Sequence, residues 1–362
     1  MSTDTYRKLA EHLDAMPQGF PKTTSGVELK ILKKVFTEEE AEVASQMKLT
    51  PETADQVAER LGKDAKRMAE LLERMTSKGQ LMGMGPKDAR MYSAFPFLVG
   101  IHEFQLARLD KEYVELFEQY FEEALAEKLG ETAPSQVRVY PVEQAIPNEL
   151  TVLPFEKVSN MVDKAQSWAI SDCICRKEMK MIGKGCNKTM NNCIAFSMDP
   201  NGFDIEYRGA RKATKQEVLD LLKKAEEEGL VHNSWNVQDS HVFICNCCAC
   251  CCAILRGVKM AKSPNVLAKS NYLAQIDPEV CVACGVCADE RCPVGAIDSR
   301  GEYNEVNRDR CIGCGVCTVT CPSGALSLVR KDESQINLPP DNIIEWTMQK
   351  AQATGRTMEG LI

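Results

Sequence analysis

Two cysteine runs dominate the chemistry open to this chain. The first reads Cys281-x2-Cys284-x2-Cys287-x4-Cys292-Pro293; the second reads Cys311-x2-Cys314-x2-Cys317-x3-Cys321-Pro322. Three thiolates two residues apart let one short loop wrap a cube of iron and sulfide. The fourth, before a proline, is better placed to reach a second cube. Each run is followed by a short apolar segment, Val294-Gly295-Ala296-Ile297 and Ser323-Gly324-Ala325-Leu326. Zinc takes four ligands, often in separated pairs, and has no evident use for eight thiolates in this pattern.

These runs resemble the bacterial ferredoxins that hold two [4Fe-4S] clusters, over about residues 275–330. Carried over by position, the resemblance implies that Cys281, Cys284, Cys287 and Cys321 hold one cluster. It implies that Cys311, Cys314, Cys317 and Cys292 hold the other, and that the fold is pseudo-twofold. The Cys287–Cys292 spacing is one residue longer than the tightest form of the family. The same resemblance implies an anaerobic or low-oxygen setting.

Ten further cysteines lie in the middle of the chain: Cys173, Cys175, Cys186, Cys193, Cys245, Cys247, Cys248, Cys250, Cys251 and Cys252. They are candidate ligands of at least one additional iron–sulfur cluster, with donors from both groups. Four thiolates complete a cubane, so ten permit two clusters, or one larger or irregular one. Zinc, a dithiol redox site and inert thiols are the alternatives. Neighbouring cysteines point different ways on a regular backbone, so Cys247 and Cys248 cannot easily serve one cube. Nor can all of Cys250, Cys251 and Cys252. The pairs Cys247-Cys248-Ala249 and Cys251-Cys252-Ala253 resemble, without the glycine, the Cys-Cys-Gly motifs of heterodisulfide reductases, which build an unusual cluster for disulfide chemistry.

The elements that must position these residues can be sketched. Residues 1–30, with Pro17, Gly19, Pro21 and Gly26, read as an irregular lead-in. Helices are expected at Glu38–Met47, from Thr50-Pro51 to Gly62, and at Lys63–Lys78. Gln80–Met82 and Arg90–Tyr92 flank glycines and Pro86, as in a hairpin. This order resembles winged helix-turn-helix domains over 31–100. An acidic helix, Glu103–Glu131, follows within segment 101–132. Val137–Tyr140 reads as a strand, 155–171 as a helix, Phe203–Tyr207 as a strand and Thr214–Gly229 as a capped helix. The cysteine-rich middle domain is expected at 133–262, the ferredoxin domain at 263–332 and a helical tail at 333–362. The fold class is α+β multidomain: winged-helix-like, then a cysteine-rich α/β domain, then a dicluster ferredoxin-like domain.

At 362 residues there is ample length for buried cores. Eighteen cysteines, no apolar leader in Met1–Pro21 and no long apolar run predict a reduced cytoplasmic home without a membrane span. A formal charge of −8 argues against general nucleic-acid binding. Over 60–90, eight Lys/Arg face four Asp/Glu, but Glu70 and Glu73 interrupt the basic surface. The winged segment is therefore expected to dock or support rather than bind DNA. Arg176, Lys177, Lys180, Lys184 and Lys188 crowd the first middle motif. They would offset cluster charge or receive an acidic ferredoxin, flavodoxin or anionic substrate. No phosphate loop or Ser/His/Asp set is visible, and no catalytic residue is identified.

The expected function is electron transfer between two ferredoxin-type clusters and a further centre, within a larger redox system of partner proteins or subunits. The alternatives are an oxidoreductase with a catalytic iron–sulfur centre in the middle domain, and a redox-responsive DNA-binding regulator.

Overall fold

The structure is a computed structural model that describes residues 2–146, 152–203, 209–260 and 264–362. It mixes helices with several sheets and divides into two compact units, residues 1–128 with 347–362, and residues 129–346. No described helix is long and apolar enough to cross a membrane.

The first unit begins with a helix, Ser2–Ala15, where an irregular lead-in was expected. Tyr6, Leu9, Ala10 and Leu13 recur at helical spacing and are all buried. The prolines and glycines that follow obscured this stripe in the sequence. The next helix is Val27–Val35, and Glu38–Ala44 follows behind a Thr37–Glu40 capping box. The helix expected from Thr50-Pro51 starts later, and Pro51 does not open it. Pro51 precedes a two-residue strand, Glu52–Thr53, and Thr53 itself caps Ala54–Leu61. Asp64 caps Ala65–Ser77 by accepting from the Arg67 N–H at 2.9 Å. Strand Met91–Ser93 lies between Met82–Met84 and Glu52–Thr53, antiparallel to both. The expected Glu103–Glu131 helix is broken: a 3-10 turn, Glu103–Arg108, stops before Asp110, which caps Lys111–Tyr120.

Glu40 ties this unit together. Its buried carboxylate takes the Lys78 ammonium at 2.6 Å, the Gln80 amide at 2.9 Å and the Thr37 N–H at 3.0 Å. Burial opposes its charge, but Lys78, Thr37 and Gln80 outweigh burial and hold its pKa at about 2. A lowered carboxylate pKa stabilises the fold above the ordinary value of 4.5 and loses that contribution as pH falls toward about 2. Hydrogen-exchange protection of Glu38–Ala44 and Ala65–Ser77 is therefore expected to drop across that window. In Glu40→Gln it should start lower and vary little with pH; an unchanged acid profile would refute the assignment.

The second unit is built on a seven-stranded sheet. Its strands lie in the order Leu267–Ala268, Val137–Tyr140, Val231–Trp235, Phe243–Cys247, Asn191–Ser197, Ser167–Asp172 and Arg211–Ala213. The first pair is parallel and the rest are antiparallel. The expected helix over 155–171 stops at Lys164, and Trp168 and Ala169 sit in a strand. Val158, Met161, Val162 and Ala165 satisfy a helical period, but the β-favouring Trp168-Ala169-Ile170 beyond them does not have to continue it. Phe203–Tyr207 runs into residues outside those described. Helix Lys215–Glu227 has the expected Thr214–Glu217 capping box and packs Val218 and Leu222 on the sheet with Met161, Ile170, Ile194 and Ile244.

Two small antiparallel ladders complete this unit. Tyr272–Ile276 pairs with Leu326–Arg330, and Ile297–Ser299 pairs with Asn304–Val306. Buried Glu156 joins the first ladder to the rest: it accepts from Asn271 at 2.8 Å, Tyr272 at 3.1 Å and Arg330 at 3.1 Å.

Candidate metal centres

The two C-terminal runs curl around neighbouring cavities. One is lined by Cys281, Cys284 and Cys287 together with Cys321 from the other run. The second is lined by Cys311, Cys314 and Cys317 together with Cys292. Cys317 also borders the first cavity. Ile276, Val286, Ala325 and Leu326 wall the first, and Ala274, Ile297, Val306 and Ile312 wall the second.

Backbone geometry lets the loops close this tightly. Gly313 has φ +68°, and a Cβ there would meet the Ser270 hydroxyl at 2.1 Å and the Tyr272 carbonyl at 2.2 Å. Only glycine fits that approach. Local donors also reach the sulfurs: the Ala296 N–H lies 3.1 Å from Cys292 Sγ and the Asn304 amide 3.3 Å from Cys287 Sγ. Such donors stabilise thiolate character and raise a cluster's potential. Burial beside other sulfurs pushes the Cys314 thiol up to about 12 and Cys317 also well up. A cationic cofactor would be needed to hold both as thiolates.

The middle cysteines divide into two sets, and strand register makes the division. Cys193 lies on Asn191–Ser197, and Cys245 and Cys247 lie on the adjacent Phe243–Cys247. With Ile194 opposite Ile244, Cys193 comes against Cys245. Side chains two apart share a face, so Cys247 joins Cys245. Cys173 ends the loop after Ser167–Asp172, and Cys175 sits in the first turn of helix Ile174–Met181. Thiol contacts then run from Cys173 to Cys175, to Cys252, to Cys247, to Cys245 and to Cys193, with Cys193 near Cys173. The result is a ring of six sulfurs, with the buried Glu178 carboxylate close enough to Cys175 to act on its charge.

The other set is Cys186, Cys248, Cys250 and Cys251, whose sulfurs all lie within 4.8 Å of one another. Thus Cys247 and Cys248, peptide neighbours, serve different sets, as do Cys251 and Cys252.

The electrostatics of the six-thiol ring follow from crowding. Hydrogen bonds from Cys245 and Cys252 bring Cys247 down to about 5. Cys245 is in turn held well up by Cys193 and Cys247. Bonding to Cys175 and burial push Cys173 up likewise. One thiolate is favoured and its neighbours keep their protons until a cation displaces them. Soft, sulfur-only donors of this kind suit iron–sulfur ligation.

Between the two middle sets lies Arg176, which is buried. It donates to the Asn192 side chain at 2.6 Å, the Asn246 carbonyl at 2.7 Å and the Thr189 carbonyl at 3.1 Å. Its charge faces Cys173 and Cys247 of one set and Cys248 of the other. Burial opposes that charge, but those thiols hold the guanidinium pKa above its usual value. The basic segment therefore splits. Lys180, Lys184 and Lys188 are exposed, with Lys188 on the Glu228 carbonyl at 2.5 Å, and Arg176 belongs to the centres. His232 is fully buried between Asn246 at 2.7 Å and Glu226 at 3.3 Å. The Arg176–Asn246 and His232–Asn246 contacts are not visible in the sequence, because Asn246 comes from another strand.

The family described as 4Fe-4S binding domain (Fer4_6) matches residues 305–326, which contain Cys311, Cys314, Cys317 and Cys321. No curated protein and no solved structure matches the chain. The matched domain and the clustered cysteines make this an iron–sulfur protein with a 4Fe-4S binding domain near its C-terminus.

Proposed function

We propose that this protein is an electron carrier with two ferredoxin-type [4Fe-4S] clusters that exchange electrons with a further iron–sulfur centre in the ring of Cys173, Cys175, Cys193, Cys245, Cys247 and Cys252. The observation that carries the reading is the crossed lining of two adjacent cavities by cysteines of both runs. Bound clusters supply single-electron transfer; the residues set spacing, burial and potential. Cys281, Cys284, Cys287 and Cys321 would hold one cluster, and Cys292, Cys311, Cys314 and Cys317 the other.

A bonded route supports exchange with the ring. The Cys314 carbonyl accepts from the Val142 N–H at 2.9 Å, and the next N–H, of Glu143, donates to Glu226 at 2.8 Å. Glu226 meets His232, and His232 meets Asn246, which lies between Cys245 and Cys247. Arg291 adds a second tie: its guanidinium donates to the carbonyls of Glu226 and Glu227, at the end of helix Lys215–Glu227, and to Val316.

The first unit fits a winged-helix docking module rather than a DNA reader. On helix Ala65–Ser77, Arg67 and Arg74 pair with Glu39, and Lys78 just after it pairs with Glu40. Lys63, just before that helix, pairs with Glu42 and Arg90 with Glu73. Cations already paired in this way are poorly placed to replace counterions on phosphates. The module would meet another subunit or redox partner in a reduced, cytoplasmic setting.

The test is a reductive titration of protein prepared without oxygen, followed by EPR. Reversible uptake of at least two electrons is expected, with magnetic interaction between two neighbouring clusters and a separate signal from the ring. A protein that takes up no electrons at any accessible potential would overturn the reading. A ring centre that turned over a disulfide without passing electrons on would favour the oxidoreductase, for which the crowded thiols of Cys247 and Cys252 are the supporting observation.

A further inference from the structure

We infer that Cys186, Cys248, Cys250 and Cys251 form a site for a single tetrahedral metal ion, Zn²⁺ or iron, and not a fourth cluster. Size decides this. Four thiolates around one ion with metal–sulfur bonds of about 2.3 Å stand about 3.8 Å apart, the edge of a tetrahedron. Four thiolates on a cubane bind different corners of a cage and stand roughly 6 Å apart. Here Cys186 Sγ lies 3.9 Å from Cys248 Sγ and 3.7 Å from Cys251 Sγ, and Cys251 Sγ lies 3.7 Å from Cys250 Sγ. All four fall within 4.8 Å of one another, a set too tight for a cage. The C-terminal cysteines of the same molecule behave differently: they line two cavities, and among the described residues the crowding of three or more metal-ligating side chains within 4.8 Å is found in the Cys186 set alone.

The surroundings are those of a closed metal knot. The turn after strand Phe243–Cys247 presents three of the four sulfurs, and the Cys252 N–H closes it on the Cys248 carbonyl at 3.1 Å. Cys186 comes from the loop after helix Ile174–Met181, sixty-two residues earlier. Its sulfur accepts the Lys188 N–H, and Cys248 accepts from Arg176. Met179, Ala225 and Leu230 pack beneath the set, while Cys250 is exposed above it. A divalent ion with four thiolates carries two net negative charges, which Arg176 and the exposed Lys184 and Lys188 offset. Four protein ligands leave no open position, so the ion would staple the Cys186 loop to the turn that also carries Cys247 and Cys252.

Zinc and iron share this chemistry, and metal analysis separates them. Full-length protein is prepared without oxygen and compared with Cys250→Ala, an exposed position where folding is least at risk. One zinc per chain that is lost in the variant, with iron and cluster signals unchanged, supports a zinc site. One iron beyond the cluster total, with a high-spin ferric signal on oxidation that the variant loses, supports an iron site. For a zinc site, X-ray absorption of the unaltered protein at the zinc edge should show sulfur neighbours at about 2.3 Å and no nearby metal; it does not depend on the variant folding. Loss of about four irons with one cluster signal in Cys250→Ala would overturn the inference in favour of a cubane. No change in either metal would overturn it in favour of free thiols. Electron uptake by the C-terminal clusters is untouched by either result, so the electron-carrier reading stands or falls separately.

Discussion

Replacing Cys321 with serine will strip iron from the cavity of Cys281, Cys284 and Cys287 and leave the cavity of its own run loaded. Cys321 lines the first cavity although it lies four residues from Cys317 in the second run. A serine oxygen is a harder donor than a thiolate and holds iron–sulfur cages poorly. The expected loss is about four irons per chain and the disappearance of the magnetic interaction between paired clusters. Cys292→Ser is the mirror experiment and should empty the cavity of Cys311, Cys314 and Cys317. If each serine emptied the cavity of its own run, the crossed arrangement would be wrong.

The second large effect is expected at Arg176. Its guanidinium is a full positive charge between two thiolate sets, held by three oxygen acceptors. One charge about 5 Å away at an effective dielectric near 20 contributes about 3 kcal/mol. For a one-electron step that corresponds to roughly 140 mV. Arg176→Met, which keeps a long stem without charge, should therefore lower the potential of the ring centre by on the order of 100 mV. It should also destabilise the unit by about 1–3 kcal/mol, because buried acceptors lose their donor. Arg176→Lys restores the charge but not the fork, so it should recover most of the potential and less of the stability. A potential that stays put in the Met variant, measured by redox titration, would show that Arg176 serves structure alone.

The unequal legibility of these sites has a physical cause. The C-terminal runs are readable because their ligands are local: loop spacing alone brings three thiols together. The middle cysteines are not, because strand pairing sorts them. That Cys247 and Cys248 diverge follows from backbone alternation. That Cys193 meets Cys245 requires the antiparallel register of two strands fifty residues apart. The burial of Arg176 was not legible either, since nothing near it in sequence announces Asn192 and Asn246 as partners. Helix Ser2–Ala15 was hidden by the Pro17–Gly26 stretch after it, although Tyr6, Leu9, Ala10 and Leu13 carry its stripe. Strand Ser167–Asp172 was absorbed into the helix before it, since four good helical positions ran directly into it. The Thr214 helix was legible because its cap, apolar face and terminal Gly229 all agree.

The peptide bond between Cys247 and Cys248 has a consequence for how the protein matures. Each residue faces a different thiol set, so neither set can fill without fixing the backbone of the other. Arrival of the first metal at the turn removes conformational freedom that the second loading would otherwise have to remove. Filling of the two sets would thus be coupled. The outer set, with Cys250 at the surface, is the more accessible of the two, and metal there would pre-order the inner ring without being required for its completion.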